Sequence, residues 1–133
     1  MENYSSKSSW NASKSLEIAS SYLVHKGFIV AQPRTEDTPA DLVVQGYSSS
    51  HPWKVVQVKT AYMDGGSWVA NVCRTTQEGR APYHPGEVDY YVVVVPEKGL
   101  LLLPFDVVAG RSRIRPMAAE FDGFFVEYPG GVK

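Results

Sequence analysis

This 133-residue chain has one cysteine, almost no net charge and no long apolar run. A single cysteine, Cys73, excludes a disulfide framework or a thiolate metal site within one chain, and we expect a small buried hydrophobe on a strand. The formal net charge of −1 excludes a histone-like polybasic binder, so any nucleic-acid contact must come from a local patch. The longest apolar runs, Tyr90–Val95 and Leu100–Leu103, are far shorter than the ~20 residues of a membrane span.

The chain is also short for more than one domain. At about 150 residues per domain, residues 1–133 are predicted to form a single domain that is large enough to bury a core. The N-terminal segment is polar and has no apolar stretch typical of a signal peptide, and residues 1–7 are expected to be loose. We therefore expect an intracellular, cytoplasmic protein that does not enter a membrane.

An amphipathic helix is predicted over Ser8–Lys26, where apolar residues recur at three- and four-residue spacing. Gly27 follows at the position where a C-terminal glycine ends a helix. A short strand over Phe28–Ala31 and a turn over Arg34–Ala40 come next.

The rest of the chain predicts a series of strands. They are Asp41–Gln45, Trp53–Ala61, Gly65–Arg74, Asp89–Val95, Leu100–Pro104 and an edge strand Phe124–Tyr128, with a loop over 75–87 and a helical turn over Val107–Arg111. The short connection 46–52 favours antiparallel pairing of the strands at 41–45 and 53–61. The apolar run 89–95 is typical of a strand buried on both faces. One helix followed by a meander of strands predicts an α+β fold, with the helix packed on one sheet.

Polar side chains on two neighbouring predicted strands form the most informative pattern. Successive side chains of a strand alternate between its faces, so Gln57 and Lys59 share one face while Val56 and Val58 point towards the core. The adjacent antiparallel strand can present Asp41 on the same face as the polar pair. A carboxylate, an amide and an ammonium are thus predicted to converge in one cleft.

A metal-dependent phosphodiesterase uses groups of these types. A carboxylate such as Asp41 binds Mg²⁺ as a hard oxygen ligand, and a lysine such as Lys59 supports the nucleophile or the developing negative charge. Gln57 can offer a neutral carbonyl oxygen, and Glu17 on the predicted helix is the available second carboxylate. The alternative is structural, because a strand lysine is usually a solvated edge residue and an aspartate after Pro-Ala usually begins a strand.

Several segments, in this order, resemble the motifs of the PD-(D/E)XK nuclease superfamily. They are a helix with a glutamate, Gly-Phe-x-Val-x-x-Pro (27–33), Pro-Ala-Asp-Leu-Val-Val (39–44), Val-Val-Gln-Val-Lys-Thr (55–60) and Val-Asp-Tyr-Tyr-Val-Val-Val-Val-Pro-Glu (88–97), followed by Leu-Leu-Pro (102–104). The Gln-x-Lys form of the third motif is similar to that of small intron-encoded homing endonucleases, a branch distantly related to archaeal-type Holliday-junction resolvases.

The resemblance implies a restriction-endonuclease-like core with a mixed central β-sheet. It implies that Asp41 is the principal metal ligand, that Gln57 stands in place of the usual acid and that Lys59 is the catalytic lysine. Val58 would contribute its backbone carbonyl to the metal, and Glu17 would be the helix carboxylate. The implied cofactor is Mg²⁺, for which Mn²⁺ can substitute, and the implied substrate is double-stranded or branched DNA, cut by a homodimer or homotetramer.

Arginines are the candidate contacts to DNA phosphates. They are Arg74, Arg80, Arg111, Arg113 and Arg115. The last three alternate along the chain, so an extended segment would aim them to one side, where guanidinium groups pair well with phosphate oxygens. The alternative is a solvated charged loop.

The histidines and aromatic residues have simpler expected roles. His25, His51 and His84 do not have metal-ligand spacing, and His25 falls at a helix end, where a cation is favourable. The aromatic residues Tyr83, Tyr90, Tyr91 and Trp53 are expected in the core or on the sheet surface rather than as platforms for bases.

The function predicted from these observations is that of a metal-dependent, site-specific homing-type DNA endonuclease. Two alternatives remain open. One is a structure-specific Holliday-junction resolvase, and the other is a non-catalytic DNA- or protein-binding module on the nuclease fold. The neutral Gln57 at the usual position of an acid is the feature that favours the module.

Overall fold

The computed structural model describes residues 7–35, 38–46, 50–76 and 78–127. Its helices are α1, Lys7–His25, and α2, Phe105–Val108, with a 3₁₀ helix at Ala119–Phe124. Its strands are β1 Phe28–Ala31, β2 Leu42–Gly46, β3 Lys54–Thr60, β4 Tyr62–Asp64, β5 Ser67–Asn71, β6 Cys73–Thr76, β7 Gly79–Pro82, β8 Tyr90–Val95, β9 Gly99–Pro104, β10 Arg113–Ile114 and β11 Phe125–Glu127. Within these ranges, no helix is both long and apolar enough to cross a membrane.

A six-stranded sheet in the order β1-β2-β3-β8-β9-β11 is the centre of the fold. Its neighbouring strands are antiparallel except for β3 and β8, which run parallel with Val58 opposite Val92. The sheet is therefore mixed, as the resemblance implied, and the expected simple meander is wrong at β3. Parallel neighbours require a crossover, and residues 61–89 supply it.

The helix α1 covers one face of this sheet. Its buried residues Ala19 and Leu23 pack against Val56 of β3 and Val92 of β8 in one apolar cluster. Gly27 ends the helix with a positive φ of 94°, a left-handed conformation that glycine adopts without a steric penalty. The amphipathic helix and its glycine stop are confirmed.

The crossover covers the opposite face. Its strands β4 and β5 form a three-stranded sheet with β10 from the later part of the chain, and its strands β6 and β7 form a hairpin. Val72 from the crossover and Phe121 from the 3₁₀ helix join Tyr91, Val93 and Leu103 of the central sheet in a second apolar cluster. Strand β8 is thus buried on both faces, as its apolar run predicted. Cys73 is buried and free, also as predicted.

The crossover is where the predicted strand boundaries need correction. The strand expected over Gly65–Arg74 is two strands, because Ser67–Asn71 pairs with β4 and β10, whereas Cys73–Thr76 pairs with β7. The loop expected over 75–87 contains β7, and the helical turn expected over 107–111 occurs earlier, as α2. Parts of the predicted loose N-terminus, turns and final strand, at 1–6, 36–37, 47–49 and 128, lie outside the described residues.

Candidate active site

Asp41 comes directly before β2 and extends that strand's pairing with β3 by one residue. Its N–H donates to the Val56 carbonyl at 3.0 Å. Leu42 and Val44 of β2 face the α1 cluster, so the alternation of a strand turns the Asp41 side chain to the other face. The neighbouring strand β3 presents Gln57 and Lys59 on that same face, as predicted.

The carboxylate of Asp41 is fixed by two hydrogen bonds from β3. Gln57 Nε2 and the Val58 backbone N–H each donate to Asp41 Oδ2 at 2.8 Å. The amide of Gln57 is thereby oriented, and its Oε1 is buried without a hydrogen-bond partner among the described residues. A buried acceptor without a donor is costly in a native fold, so this oxygen is available to a cation or a water molecule.

Lys59 enters the site from the same strand and is held by the crossover. Its Nζ donates to the Cys73 carbonyl at 3.1 Å. The same nitrogen lies 5.7 Å from the centroid of the Tyr83 ring, a cation–π distance. Asp41, Gln57, Val58 and Lys59 are therefore brought together by two adjacent strands, with the crossover as the wall of the site.

Burial perturbs both charged groups of the site. It raises the pKa of the Asp41 carboxyl, although the Val58 N–H and the Lys59 charge act in the opposite direction. It also lowers the pKa of the Lys59 ammonium, although the negative charge of Asp41 acts to raise it. Desolvation therefore outweighs the mutual attraction of these two residues, and a bound cation or phosphate would stabilise the ionised forms.

The crossover brings a second group of residues to the site that sequence patterns did not single out together. Tyr83 is half-buried, and burial followed by the nearby charge of Asp41 raises its pKa. Arg74 Nη2 donates to His84 Nε2 at 3.3 Å, and Arg74 Nη1 lies 4.0 Å from Glu87 Oε2. Cys73 and Tyr83 meet Lys59 only because β3 and β8 are parallel, and the apolar β8 run was the one sequence signal for this arrangement.

The candidate arginines occupy two regions. Arg74 and Arg80 lie on the hairpin β6–β7, and Arg80 Nη1 donates to Asn71 Oδ1 at 3.3 Å. The side chain of Arg74 is partly exposed, but its Nε is buried without a partner among the described residues.

The second arginine region lies around β10. Arg111 pairs with Glu120 at 3.0 Å, and Arg113 forms an ion pair with Asp64. Arg115 is exposed. A DNA phosphate would therefore have to displace an acidic partner at Arg111 and at Arg113.

Glu17 lies apart from the polar cluster. It is exposed on α1, and this helix packs on the sheet face that carries Val56 rather than the face that carries Gln57 and Lys59. The structure therefore does not bring Glu17 together with the other candidate residues. His25 Nδ1 bonds to the Ser21 carbonyl at 2.9 Å in the last turn of α1, in agreement with its expected place at the helix end.

The donors that could hold a metal are few and are all oxygens. Within the described ranges, no three or more His, Cys, Asp or Glu side chains form a metal-binding group. Among the described residues, the site offers the Asp41 carboxylate and the buried, unpartnered Gln57 Oε1, and the backbone carbonyl of Val58 is the third donor that the resemblance implies. One carboxylate with neutral oxygens suits a hard cation that keeps several waters, as Mg²⁺ does.

Comparison with known proteins places this chain in a family. The solved structure of a bacterial homing endonuclease, I-Ssp6803I, matches the fold with a TM-score of 0.73 and 21% sequence identity, over 90% of this chain and 89% of that one. No curated protein matches the chain. A family model described as PD-(D/E)XK endonuclease matches residues 9–120, which include Asp41, Gln57 and Lys59. The chain therefore belongs to the PD-(D/E)XK endonuclease family.

Proposed function

We propose that this protein is a metal-dependent DNA endonuclease that cuts duplex DNA at a specific site, as a homing endonuclease does. The observation that carries the proposal is the convergence of Asp41, Gln57 and Lys59, with Gln57 Oε1 buried beside the Asp41 carboxylate and without a partner in the described ranges. Membership of the PD-(D/E)XK endonuclease family supports the nuclease activity, and the fold similarity to I-Ssp6803I supports the homing type.

The proposed cofactor is Mg²⁺, with Mn²⁺ as a substitute. Asp41, Gln57 and the Val58 carbonyl would hold it, and their oxygen donors fit a hard cation. When bound, the ion polarises the scissile phosphate and makes water a better nucleophile. Because two of these donors are neutral, we expect weaker metal binding than at a site with two carboxylates. A role of Glu17 as a metal ligand stays a prediction, because the helix α1 that carries it packs on the face of the sheet opposite to Gln57 and Lys59.

The chain's own residues orient the reacting groups. Asp41 is held by Gln57 and by the Val58 N–H, so its carboxylate does not have to reorganise when DNA binds. Lys59 presents an ammonium from a partly buried position, where it orients the nucleophile and stabilises the negative charge that develops on the phosphate. The burial that lowers the pKa of Lys59 also increases the effect of its charge on the substrate.

Phosphate contacts are proposed for the five candidate arginines. Arg74 and Arg80 lie on the hairpin whose Cys73 carbonyl contacts Lys59, and this proximity supports the proposal that they bind DNA next to the proposed cleavage site. Arg111, Arg113 and Arg115 would extend this contact, with phosphates replacing Glu120 and Asp64 as partners. Because each contact between an arginine and a phosphate releases bound counterions, DNA affinity should fall steeply with added salt.

A homodimer or homotetramer is the proposed active form. One chain carries one proposed site, and cutting both strands of a duplex is achieved most simply by two copies of it. The family match over residues 9–120 supports the proposal that residues 1–133 form one nuclease-like domain, and the cytoplasm stays the predicted compartment.

The first experiment is a cleavage assay with Mg²⁺ or Mn²⁺ on plasmid DNA, DNA from loci flanking the gene and synthetic four-way junctions. Wild type is compared with Lys59→Ala and with Lys54→Ala, which removes a lysine on the opposite face of the same strand. Cutting at one site by wild type and Lys54→Ala, but not by Lys59→Ala, supports the proposal. Cutting of junctions alone would identify a resolvase instead.

A metal titration tests the second alternative, a non-catalytic module. Mn²⁺ binding is measured by electron paramagnetic resonance for wild type, Asp41→Ala and Asp106→Ala, the last of which removes an exposed aspartate on α2. We expect binding that is lost only in Asp41→Ala. If wild type binds DNA but neither binds Mn²⁺ nor cuts any substrate, the nuclease proposal is wrong and the module is the better description.

A further inference from the structure

We propose that Tyr83 is a positioning residue of this site, whose ring holds the ammonium of Lys59 in place for the reaction. The proposal rests on the proposed nuclease function and adds a residue that lies outside the third motif. It is carried by the geometry around Lys59, where Nζ lies 5.7 Å from the centre of the Tyr83 ring.

Lys59 has few anchors for a long side chain. Within the part of the chain that the structure describes, its Nζ makes one hydrogen bond, to the Cys73 carbonyl at 3.1 Å, and otherwise faces the Tyr83 ring and the charge of Asp41. A lysine side chain has four rotatable bonds and loses considerable entropy when it is fixed. Without the ring, one neutral acceptor would be the main direct contact that fixes the ammonium.

Tyr83 is itself supported by the core. Its ring lies 6.3 Å from the Tyr91 ring at an interplanar angle of 52°, and Tyr91 stacks on Phe105 at 6.4 Å and 21°. The Tyr91 hydroxyl donates to the Val72 carbonyl at 3.4 Å, next to Cys73, which accepts from Lys59. A continuous row of aromatic rings therefore connects the apolar cluster under the crossover to the ammonium in the site.

An aromatic ring suits this role better than a second carboxylate. The ring attracts a cation through its quadrupole and carries no formal charge, so it fixes the ammonium without neutralising it. Lys59 therefore keeps its charge free for the phosphate. Because the ring face makes the contact, phenylalanine should replace Tyr83 and a branched aliphatic residue should not.

The test compares Tyr83→Phe and Tyr83→Leu with Tyr90→Leu, which removes a half-buried aromatic residue on the α1 face. In cleavage assays of the folded proteins, we expect Tyr83→Leu to lower kcat by about tenfold with KM little changed, since the lost contact acts on the reacting group. Tyr83→Phe should stay within about twofold of wild type. Tyr90→Leu should lower the melting temperature but leave kcat unchanged.

A second readout needs neither DNA nor metal. The ring current of Tyr83 should displace the NMR signals of the Lys59 ε-methylene protons, a displacement kept in Tyr83→Phe and lost in Tyr83→Leu. The proposal is overturned if these signals do not move in Tyr83→Leu, or if that variant cuts DNA at the wild-type rate. Failure of wild type to cut any DNA would overturn the proposed function alone, because the NMR comparison would still report on the contact between Tyr83 and Lys59.

Discussion

The two faces of β3 differ in kind although their residues alternate along one strand. On the face under α1, Val56 is fully buried and belongs to a closed apolar cluster. On the other face, Gln57 has an oxygen without a hydrogen-bond partner among the residues that the structure describes, and burial shifts the pKa of Lys59 and that of its neighbour Asp41. The comparison teaches that one face fixes the position of the strand, while the other holds polar groups whose hydrogen bonds and charges are incompletely paired without a ligand.

Such an arrangement is typical of sites where function opposes stability. Closely packed valines fix the backbone of β3, so the polar side chains between them are held with little freedom. The polar face then tolerates a partly buried carboxylate, a partly buried ammonium and an amide oxygen that has no hydrogen-bond partner in the described part of the chain. Substitutions on the two faces should consequently separate activity from stability.

The largest expected effect is the loss of cleavage in Lys59→Met. We expect at least a 100-fold decrease, about the effect of removing one electrostatic group from an active site. Unfolding should not become easier, because methionine keeps most of the side-chain stem and removes a charge that burial disfavours. Cleavage rate and urea unfolding are measured together, with Lys54→Met as the control on the opposite face. Equal activity losses in the two variants would contradict the comparison.

The apolar face should show the reverse behaviour in Val56→Ala. Removing two buried methyl groups is expected to lower the free energy of unfolding by about 2 kcal/mol, while the folded protein keeps its cleavage rate. Gln57→Ala is the matched variant one residue away, and its unfolding free energy should change less while its Mn²⁺ affinity falls. If chemical denaturation shows a larger decrease in unfolding free energy for Gln57→Ala than for Val56→Ala, the division between the faces is wrong.

Gln57→Glu sharpens the comparison by adding a charge to the polar face. The new carboxylate would lie where Gln57 Nε2 now donates to Asp41 at 2.8 Å, so like charges would replace a hydrogen bond. We expect the metal-free protein to lose about 1 kcal/mol of stability and to bind Mn²⁺ more tightly, with Mg²⁺ restoring the melting temperature. Calorimetry with and without metal measures both effects, and a variant whose melting does not respond to Mg²⁺ would argue against metal at Gln57.

The smallest expected effect is a pH dependence of stability that comes from Asp41. Its pKa in the fold lies above the ordinary value of 3.8, so the folded protein binds more protons than the unfolded chain between the two values. The contribution of Asp41 to stability is therefore full at low pH and is lost as pH rises through its folded pKa. Asp41→Asn should remove this slope in metal-free protein, as urea unfolding at several pH values would show. An unchanged slope would assign the dependence to other groups.

Much of the site could be predicted because it depends on local rules. Strand alternation places Gln57 and Lys59 together, and an antiparallel pair separated by a short connection brings Asp41 to them. The sequence also predicted α1 and its end at Gly27, since helix periodicity and a C-terminal glycine are local signals. These elements therefore agree closely with the structure.

The residues contributed by the crossover could not be predicted in the same way. The position of Tyr83 beside Lys59 depends on β8 pairing in parallel with β3, a contact between segments distant in sequence. The 65–74 pattern predicts one strand, because local alternation does not show that 67–71 pairs with β4 and β10 whereas 73–76 pairs with β7. A tertiary contact outweighed local alternation there.

The parallel pairing of β3 with β8 also affects the order in which the parts of the site form during folding. Asp41 meets Gln57 through neighbouring antiparallel strands, whereas Cys73 and Tyr83 reach Lys59 only after residues 61–89 have crossed over. Contacts between distant segments form slowly, because the chain loses more entropy when it closes the larger loop. The acidic half of the site is therefore expected to form early in folding and the anchored lysine late. A newly synthesised chain would gain its complete set of reacting groups only when its core is closed.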